Sequence, residues 1–186
     1  MLDIWAQVFL LPRYSLEMFT LYGAMRVGNG EKIMTNAECK CETQKHIEKV
    51  RKYIRFMTDK LTTRGVNHDN VKLDSPEVEI FAEHTECLKD LEYNSPEYKQ
   101  HLDAMKVALD HHYANCRHHP EHFQNGINDM NLVDIVEMLC DWKAASERQH
   151  NGNLLTSIEQ NATRFKMTDQ LKQILLNTAK LLDEAE

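Results

Sequence analysis

Residues 131–142, Asn-Leu-Val-Asp-Ile-Val-Glu-Met-Leu-Cys-Asp-Trp, carry the clearest signal for the fold class. Apolar residues recur here at intervals of three and four, which predicts an amphipathic helix with an inward face of Leu132, Ile135, Val136, Leu139 and Trp142. Asp141 lies among these side chains, where a carboxylate is costly to bury unless a hydrogen-bonding or positive group meets it. A metal ion would be such a group.

Similar periodicity extends outward from this stretch in both directions. A helix is expected from Thr43, with Gly65 as its left-handed C-terminal cap and a core-facing stripe of Ile47, Val50, Ile54, Met57 and Leu61. No segment alternates with the period of two that strands show. The sequence therefore predicts an all-α protein, folded as a single helical bundle domain.

Two similar start signals precede the next helices. Ser75-Pro76-Glu77 and Ser95-Pro96-Glu97 each combine a capping serine with a proline suited to the first helical turn. Two shorter amphipathic helices are expected near the end of the chain.

Composition limits the possible functions. The 186 residues are 42% hydrophobic and 27% charged, with only 6 Gly and 4 Pro, which is typical of a globular helical protein. The net charge of -7 argues against a broad nucleic-acid surface, although a small phosphorylated substrate stays open because a metal can supply positive charge. The longest apolar run, residues 8–11, is far short of a membrane span. Five irregularly spaced cysteines favour reduced thiols and a cytoplasmic location.

The first 33 residues differ from the rest. They are rich in apolar and aromatic residues and end close to Gly30-Glu31-Lys32-Ile33-Met34. Codons for Gly-Glu-Lys can spell a ribosome-binding sequence, so Met34 is a candidate start. We therefore predict an N-terminal extension, residues 1–33, before a helical domain of residues 34–186. A genuine N-terminal helix that packs on the domain is the alternative.

Histidine is the most unusual residue in the composition. Six of the ten histidines fall within 22 positions, namely His101, His111, His112, His118, His119 and His122. Such a tract can be a solvated surface, but this one lies between helical patterns, which favours metal binding. Asp134 and Glu137 are expected around the site or on the surface, and His84, His101 and His150 outside it.

Four residues occur in an order that has a known counterpart. His46 lies near the start of the first strong helix, His68-Asp69 follows that helix, and Asp141 lies in the later helix. The order His, His-Asp, Asp on consecutive helices resembles the HD-domain superfamily of metal-dependent phosphohydrolases. The local sequences His46-Ile-Glu-Lys-Val, His68-Asp69-Asn-Val-Lys72 and Leu139-Cys140-Asp141-Trp-Lys-Ala-Ala-Ser146 are similar as well, and the resemblance covers about residues 43–150.

This resemblance implies a site. A first ion would be bound by His46, His68, Asp69 and Asp141, with Asp69 able to bridge to a second ion. The second ion would take His111 or His112 together with His118 or His119. Imidazole and carboxylate ligands suit Mn, Fe, Zn, Co or Ni, as one or two ions. His68, Asp69 and Lys72 would then be the catalytic residues, and Lys72, Arg117 and Lys143 would be candidate phosphate contacts.

The histidine block also resembles a second family. The stretch from Leu109-Asp-His-His through Asn131 to Asp141-Trp142 is similar to an uncharacterised domain family of phages and bacteria. That resemblance implies a bacterial or phage-infected host. No Gly-Tyr-Pro follows the paired histidines, which argues against cyclic dinucleotides as substrates.

These observations predict a metal-dependent phosphohydrolase that acts on a nucleotide or another small phosphorylated compound. Two alternatives stay open. One is a non-catalytic phage protein that binds a metal or nucleotide, and the other is a di-iron oxygenase with the same fold. The sequence does not determine the oligomeric state.

Overall fold

The structure is a computed structural model that describes residues 34–88, 91, 95–148 and 152–185. Within these residues it contains seven α-helices and no strand, so the all-α prediction is confirmed. None of the described helices is both long and apolar enough to cross a membrane. The helices are α1 (Asn36–Asn67), α2 (Glu77–Leu88), α3 (Pro96–Ala104), α4 (Lys106–Asn115), α5 (Leu132–Glu147), α6 (Leu154–Arg164) and α7 (Asp169–Leu182).

The chain divides into two units, residues 1–48 and 49–186. The described part of the first unit is the beginning of α1, which starts with a capping box. The Glu38 amide donates to Thr35 Oγ1 at 3.2 Å, and the Thr35 amide donates to Glu38 Oε2 at 2.8 Å. Residues 1–33 lie outside the described residues, so the predicted boundary before Met34 stays a prediction.

The hydrophobic core of the second unit is built around α5. The Asn131 side chain caps this helix by accepting from the Val133 and Asp134 amides, and the Asp134 carboxylate accepts from the Asn131 amide in return. The buried core consists of Ile127, Ile135, Met138, Leu139, Leu154, Ile158, Leu175 and Ala179. The predicted inward positions of Ile135 and Leu139 are confirmed. That of Leu132 is wrong, because this first helical residue is 71% exposed at the end of the helix, outside the core.

Helix α1 departs from the prediction in two ways. It begins before Thr43 and continues through Gly65 to Asn67, so Gly65 is a helical residue and not a cap. Its apolar stripe does not face a core, since no residue of α1 is buried and Ile54 is 60% exposed. Periodicity alone predicts which face of a helix is apolar, but not whether another element covers that face.

The chain leaves α1 through a sharp turn. Asp69 adopts the left-handed conformation with φ 56°, which a non-glycine residue rarely adopts but which aspartate tolerates better than most. A short 3-10 turn, Asn70–Leu73, follows directly. His68 and Asp69 are therefore positioned by the change of chain direction at the end of α1.

The two predicted serine caps have different outcomes. Ser95 accepts a hydrogen bond from the Tyr98 amide at 3.1 Å and caps α3, as predicted. Ser75 does not cap α2, because the amides of Glu77 and Val78 donate to the Asp74 carbonyl instead. The helix consequently begins at Glu77, one residue after Pro76.

Candidate metal centre

Six of the predicted ligand residues meet in one place. Three segments of the second unit supply them: the turn after α1, helix α4 with the loop that follows it, and α5. The residues are His68, Asp69, His112, His118, His119 and Asp141, and they fall into overlapping groups whose ligand atoms lie within 4.8 Å of one another.

The imidazole rings of this cluster lie close together. The ring centroids of His118 and His119 are 4.2 Å apart, and those of His68 and His118 are 4.5 Å apart. The Nε2 atoms of His112 and His119 lie 3.0 Å from each other. Imidazoles that point their nitrogens at a common position offer the arrangement that a transition metal binds once the rings are deprotonated.

Asp69 contributes a carboxylate to the same position. Its Oδ1 lies 3.4 Å from Nε2 of both His112 and His118. Asp69 Oδ1 and His118 Nε2 are both buried, and neither has a hydrogen-bond partner among the described residues. Buried polar atoms are nearly always satisfied, and a cation would satisfy both of these at once. The residues present therefore fit a metal ion.

Two buried glutamates hold the opposite sides of the imidazole rings. Glu137 Oε1 lies 3.1 Å from His68 Nδ1 and 3.3 Å from His118 Nδ1, while Glu77 Oε2 lies 2.9 Å from His112 Nδ1. When these rings are neutral, each Nδ1–H donates to its carboxylate and each Nε2 faces Asp69 at 3.4 Å. Metal-binding histidines almost always have such a carboxylate or carbonyl partner on the other nitrogen.

A second layer of charge fixes Glu137 in turn. Arg64 forms ion pairs with Asp134 and, at 2.9 Å, with Glu137 Oε2. Arg117 donates two hydrogen bonds to the fully buried Asp134, at 3.1 and 3.0 Å. Arg64 thus fixes the position of Glu137, and Glu137 in turn fixes the positions of His68 and His118.

The environment separates the protonation states of these groups. The Asp141 carboxylate, 3.6 Å from His68 Nε2, and the Glu137 carboxylate raise the pKa of His68 to about 9. Burial lowers the pKa of His119 to about 3 and also lowers that of His112, so both stay neutral. Burial would raise the pKa of Asp69, but the hydrogen bond from Lys72 brings it below its usual value.

Cys116 is a neighbour that sequence reasoning did not assign to the site. Its Sγ lies 3.5 Å from His112 Nδ1, and it forms a group with Asp69 and His112. Burial raises the pKa of its thiol to about 12, so it is neutral at physiological pH and a poor ligand beside imidazoles. All five cysteines are free, as predicted.

The predicted phosphate contacts differ in their surroundings. Lys72 lies at the site, with its Nζ 2.6 Å from Asp69 Oδ2. Arg117 is held by Asp134, and Lys143 lies 3.3 Å from Glu147 and 3.2 Å from Asp183. Lys72 therefore contacts a residue of the ligand cluster directly.

Several predicted or candidate ligands take part in none of these groups. His46 is exposed on α1 in the first unit. His111 lies beside the cluster but donates to the other oxygen of Glu77, at 2.7 Å. His84 and His101 contact each other at 3.2 Å, and His122 contacts the Tyr113 carbonyl at 2.9 Å.

Glu77 was missed at the sequence level. Its only signal was its place in a helix start, and nothing there indicated a fully buried carboxylate that joins two histidines. Asp134 was expected around the site, and Glu137 proves to contact two of its histidines directly.

A cavity of about 510 Å³ opens beside the cluster. His119 and Asp141 line it together with Tyr113, Trp142 and Arg164. Two ligand residues therefore face a space that is large enough for a small molecule.

Comparison with known proteins gives one match. Residues 35–182 match the model of a family described as a family of unknown function, DUF5662. No curated protein and no solved structure matches the chain significantly.

Proposed function

We propose that this chain, which belongs to the DUF5662 family, is a metal-dependent phosphohydrolase acting on a small phosphorylated compound, nucleotides included. One observation carries the proposal. Asp69 Oδ1 and His118 Nε2 are buried 3.4 Å apart and have no hydrogen-bond partner among the described residues, and buried carboxylates contact the Nδ1 atoms of His68, His112 and His118. A purely structural polar network would satisfy these atoms internally.

The order of the ligands supports hydrolytic chemistry. His68-Asp69 and, later, Asp141 follow the order that resembles the HD-domain superfamily, and all three contribute atoms to one group of the cluster. Both His119 and Asp141 also line the adjacent cavity, so a bound phosphoryl group would be within reach of the centre.

The residues that would hold the ion are His68, Asp69, His112, His118, His119 and Asp141. A bound divalent transition ion would lower the pKa of the water molecule that it coordinates and would neutralise charge on phosphoryl oxygens. Nitrogen and carboxylate donors together favour Mn, Fe, Zn, Co or Ni over Ca, and six donors suffice for one or two ions.

The remaining residues position and balance this centre. Glu137 and Glu77 accept from the Nδ1–H groups of three histidines, so that the Nε2 atoms face the position of the ion. On His68 the ion would displace a proton. The Lys72 ammonium keeps Asp69 ionised and can move from that carboxylate to a phosphate oxygen of the substrate.

Phosphate release tests the proposal. Protein loaded with Mn²⁺ or Zn²⁺ should hydrolyse a generic phosphomonoester, and Asp69→Asn should abolish the activity. Asparagine suits this test because it also tolerates the left-handed backbone of position 69, so the fold is kept while the charge is lost.

Asp110→Asn is the matched control. Asp110 is exposed and pairs with Lys106, away from the cluster, so its variant should keep full activity. Tight metal binding without phosphate release from any phosphomonoester tested would overturn the proposal and favour a binding protein.

A further inference from the structure

A second, larger cavity lies next to the metal centre. It has a volume of about 1080 Å³, and its walls come from α2, α3, α4 and α6. Much of its lining is apolar, with Phe81 from α2, Leu102 from α3, the buried Met105 and Leu109 from α4. An apolar group that displaces water from a cavity of this kind increases the affinity of a ligand that carries it.

The charged residues in the described lining of this cavity all have one sign. Lys72, Arg148 and Arg164 line it, and no carboxylate is present among its described lining residues. The protein as a whole carries a net charge of -7. Two of these cations also pair with carboxylates outside the described lining, Lys72 with Asp69 and Arg164 with Glu121, each at 2.6 Å. Donor groups of one sign in an apolar cavity favour a ligand that is anionic at one end and apolar at the other.

The two cavities share part of their walls. Tyr98, Tyr113, Gln160 and Arg164 line both of them, and the smaller cavity contains His119 and Asp141. The Tyr113 ring lies 4.9 Å from the His119 ring. On the other side, Lys72 lines the larger cavity and contacts Asp69. One ligand can therefore reach the metal centre with its anionic end and the larger cavity with its body.

We propose that the larger cavity binds the organic part of the substrate, and that the substrate is a phosphate ester of an apolar alcohol, such as an alkyl chain. The reaction rests on the proposed function: a water oxygen bonds to phosphorus, the ester P–O bond breaks, and the alcohol leaves with a proton. The polar lining residues Thr85, Gln160 and Thr163 could meet some hydroxyl groups, but a sugar phosphate would still place others against Phe81, Leu102 and Leu109, which offer them no hydrogen bond.

A chain-length series tests this assignment on the intact, Mn²⁺-loaded protein. Butyl, hexyl and octyl phosphate are compared with glucose 6-phosphate and inorganic phosphate, by calorimetry and by phosphate release. Affinity should rise roughly three- to fourfold for each added methylene. Equal affinity along the series, or a preference for the sugar phosphate, would overturn the assignment.

A pair of variants locates the effect in the cavity. Leu102→Asn places an amide in the apolar wall, whereas Val107→Asn makes a comparable change at a residue that is 64% exposed on α4 and does not line the cavity. Leu102→Asn should weaken octyl phosphate at least tenfold and butyl phosphate much less, and Val107→Asn should change neither. Equal effects of the two variants would contradict the assignment. If Leu102→Asn does not fold, the chain-length series on the unsubstituted protein is the deciding test.

The two proposals fail in different ways. Phosphate release at the same KM for every ester would refute the apolar cavity and leave the hydrolase. Chain-length-dependent binding without any phosphate release would refute the hydrolase and leave the apolar ligand site.

Discussion

Glu137 Oε1 lies 3.1 Å from His68 Nδ1. The same oxygen lies 3.3 Å from His118 Nδ1, so one buried carboxylate orients two imidazoles. Its other oxygen lies 2.9 Å from Arg64, which prevents the carboxylate from rotating away. Glu137 thus acts on the metal centre through two of the ligands, without being required as a ligand itself.

This relationship predicts the effect of Glu137→Gln. The amide has the same size but lacks the charge that fixes both imidazole tautomers, so metal affinity should fall roughly 10- to 100-fold. A competition titration with a chelator measures this. Glu147→Gln, at an exposed carboxylate beside Lys143, should leave the affinity unchanged. Equal affinities for the two variants would contradict the role of Glu137.

Asp134 is predicted to matter for stability. Asp134→Ala removes the counter-charge of Arg64 and Arg117 and one half of the α5 capping box, so unfolding should require roughly 2–4 kcal/mol less free energy. Urea unfolding of the metal-free protein measures the loss. Asp183→Ala breaks an exposed pair with Lys143 and should cost less than about 1 kcal/mol. A loss of similar size in both variants would refute the prediction.

Metal binding should release a proton. The pKa of His68 is raised to about 9, above the unperturbed 6.5, so this ring is protonated at neutral pH in the metal-free protein. An ion must displace that proton, whereas His112 and His119 have lowered pKa values and carry none. Apparent affinity should therefore increase by about tenfold per pH unit from neutral pH and level off above about pH 9.

Calorimetry in two buffers of different ionisation enthalpy measures this release. We expect about one proton per ion near neutral pH for the natural sequence, and close to none for His68→Asn. A pH-independent affinity would show that His68 is neutral before the ion binds.

The same substitution at two isoleucines tests the observed packing. Ile158 on α6 is fully buried in the core, and Ile158→Ala should lower the free energy of unfolding by about 2–5 kcal/mol. Ile54 is 60% exposed on α1, so Ile54→Ala should change the free energy of unfolding by no more than about 0.5 kcal/mol. A large loss in Ile54→Ala would mean that the stripe of α1 is covered, as its periodicity had predicted.

Local sequence signals predicted the elements of the fold well. The start of α3 follows from the conformational preferences of Ser95 and Pro96. The inward face of α5 follows from the recurrence of apolar residues with the helical period of 3.6. The burial of whole faces could not be predicted this way. Leu132 and Ile54 lie on apolar stripes but are exposed, because no periodicity tells which elements pack together.

The candidate site shows the same division. His68, Asp69 and Asp141 were identified by their order and helical context, and they do come together. Glu77 could not be identified, since a glutamate in the first turn of a helix is ordinarily exposed, and only the fold places it under His111 and His112. His46 fits the same sequence order but takes part in none of the ligand groups of the described residues.

Elemental analysis of the purified protein tests the central claim, that these side chains converge on a common cation. After desalting, the natural sequence should retain at least one divalent transition ion per chain, Asp69→Asn and His118→Asn should lose it, and His46→Asn should keep it. A natural protein that retains no ion after incubation with Mn²⁺, Fe²⁺, Co²⁺, Ni²⁺ or Zn²⁺, or one whose ion survives both Asp69→Asn and His118→Asn, would contradict the metal centre.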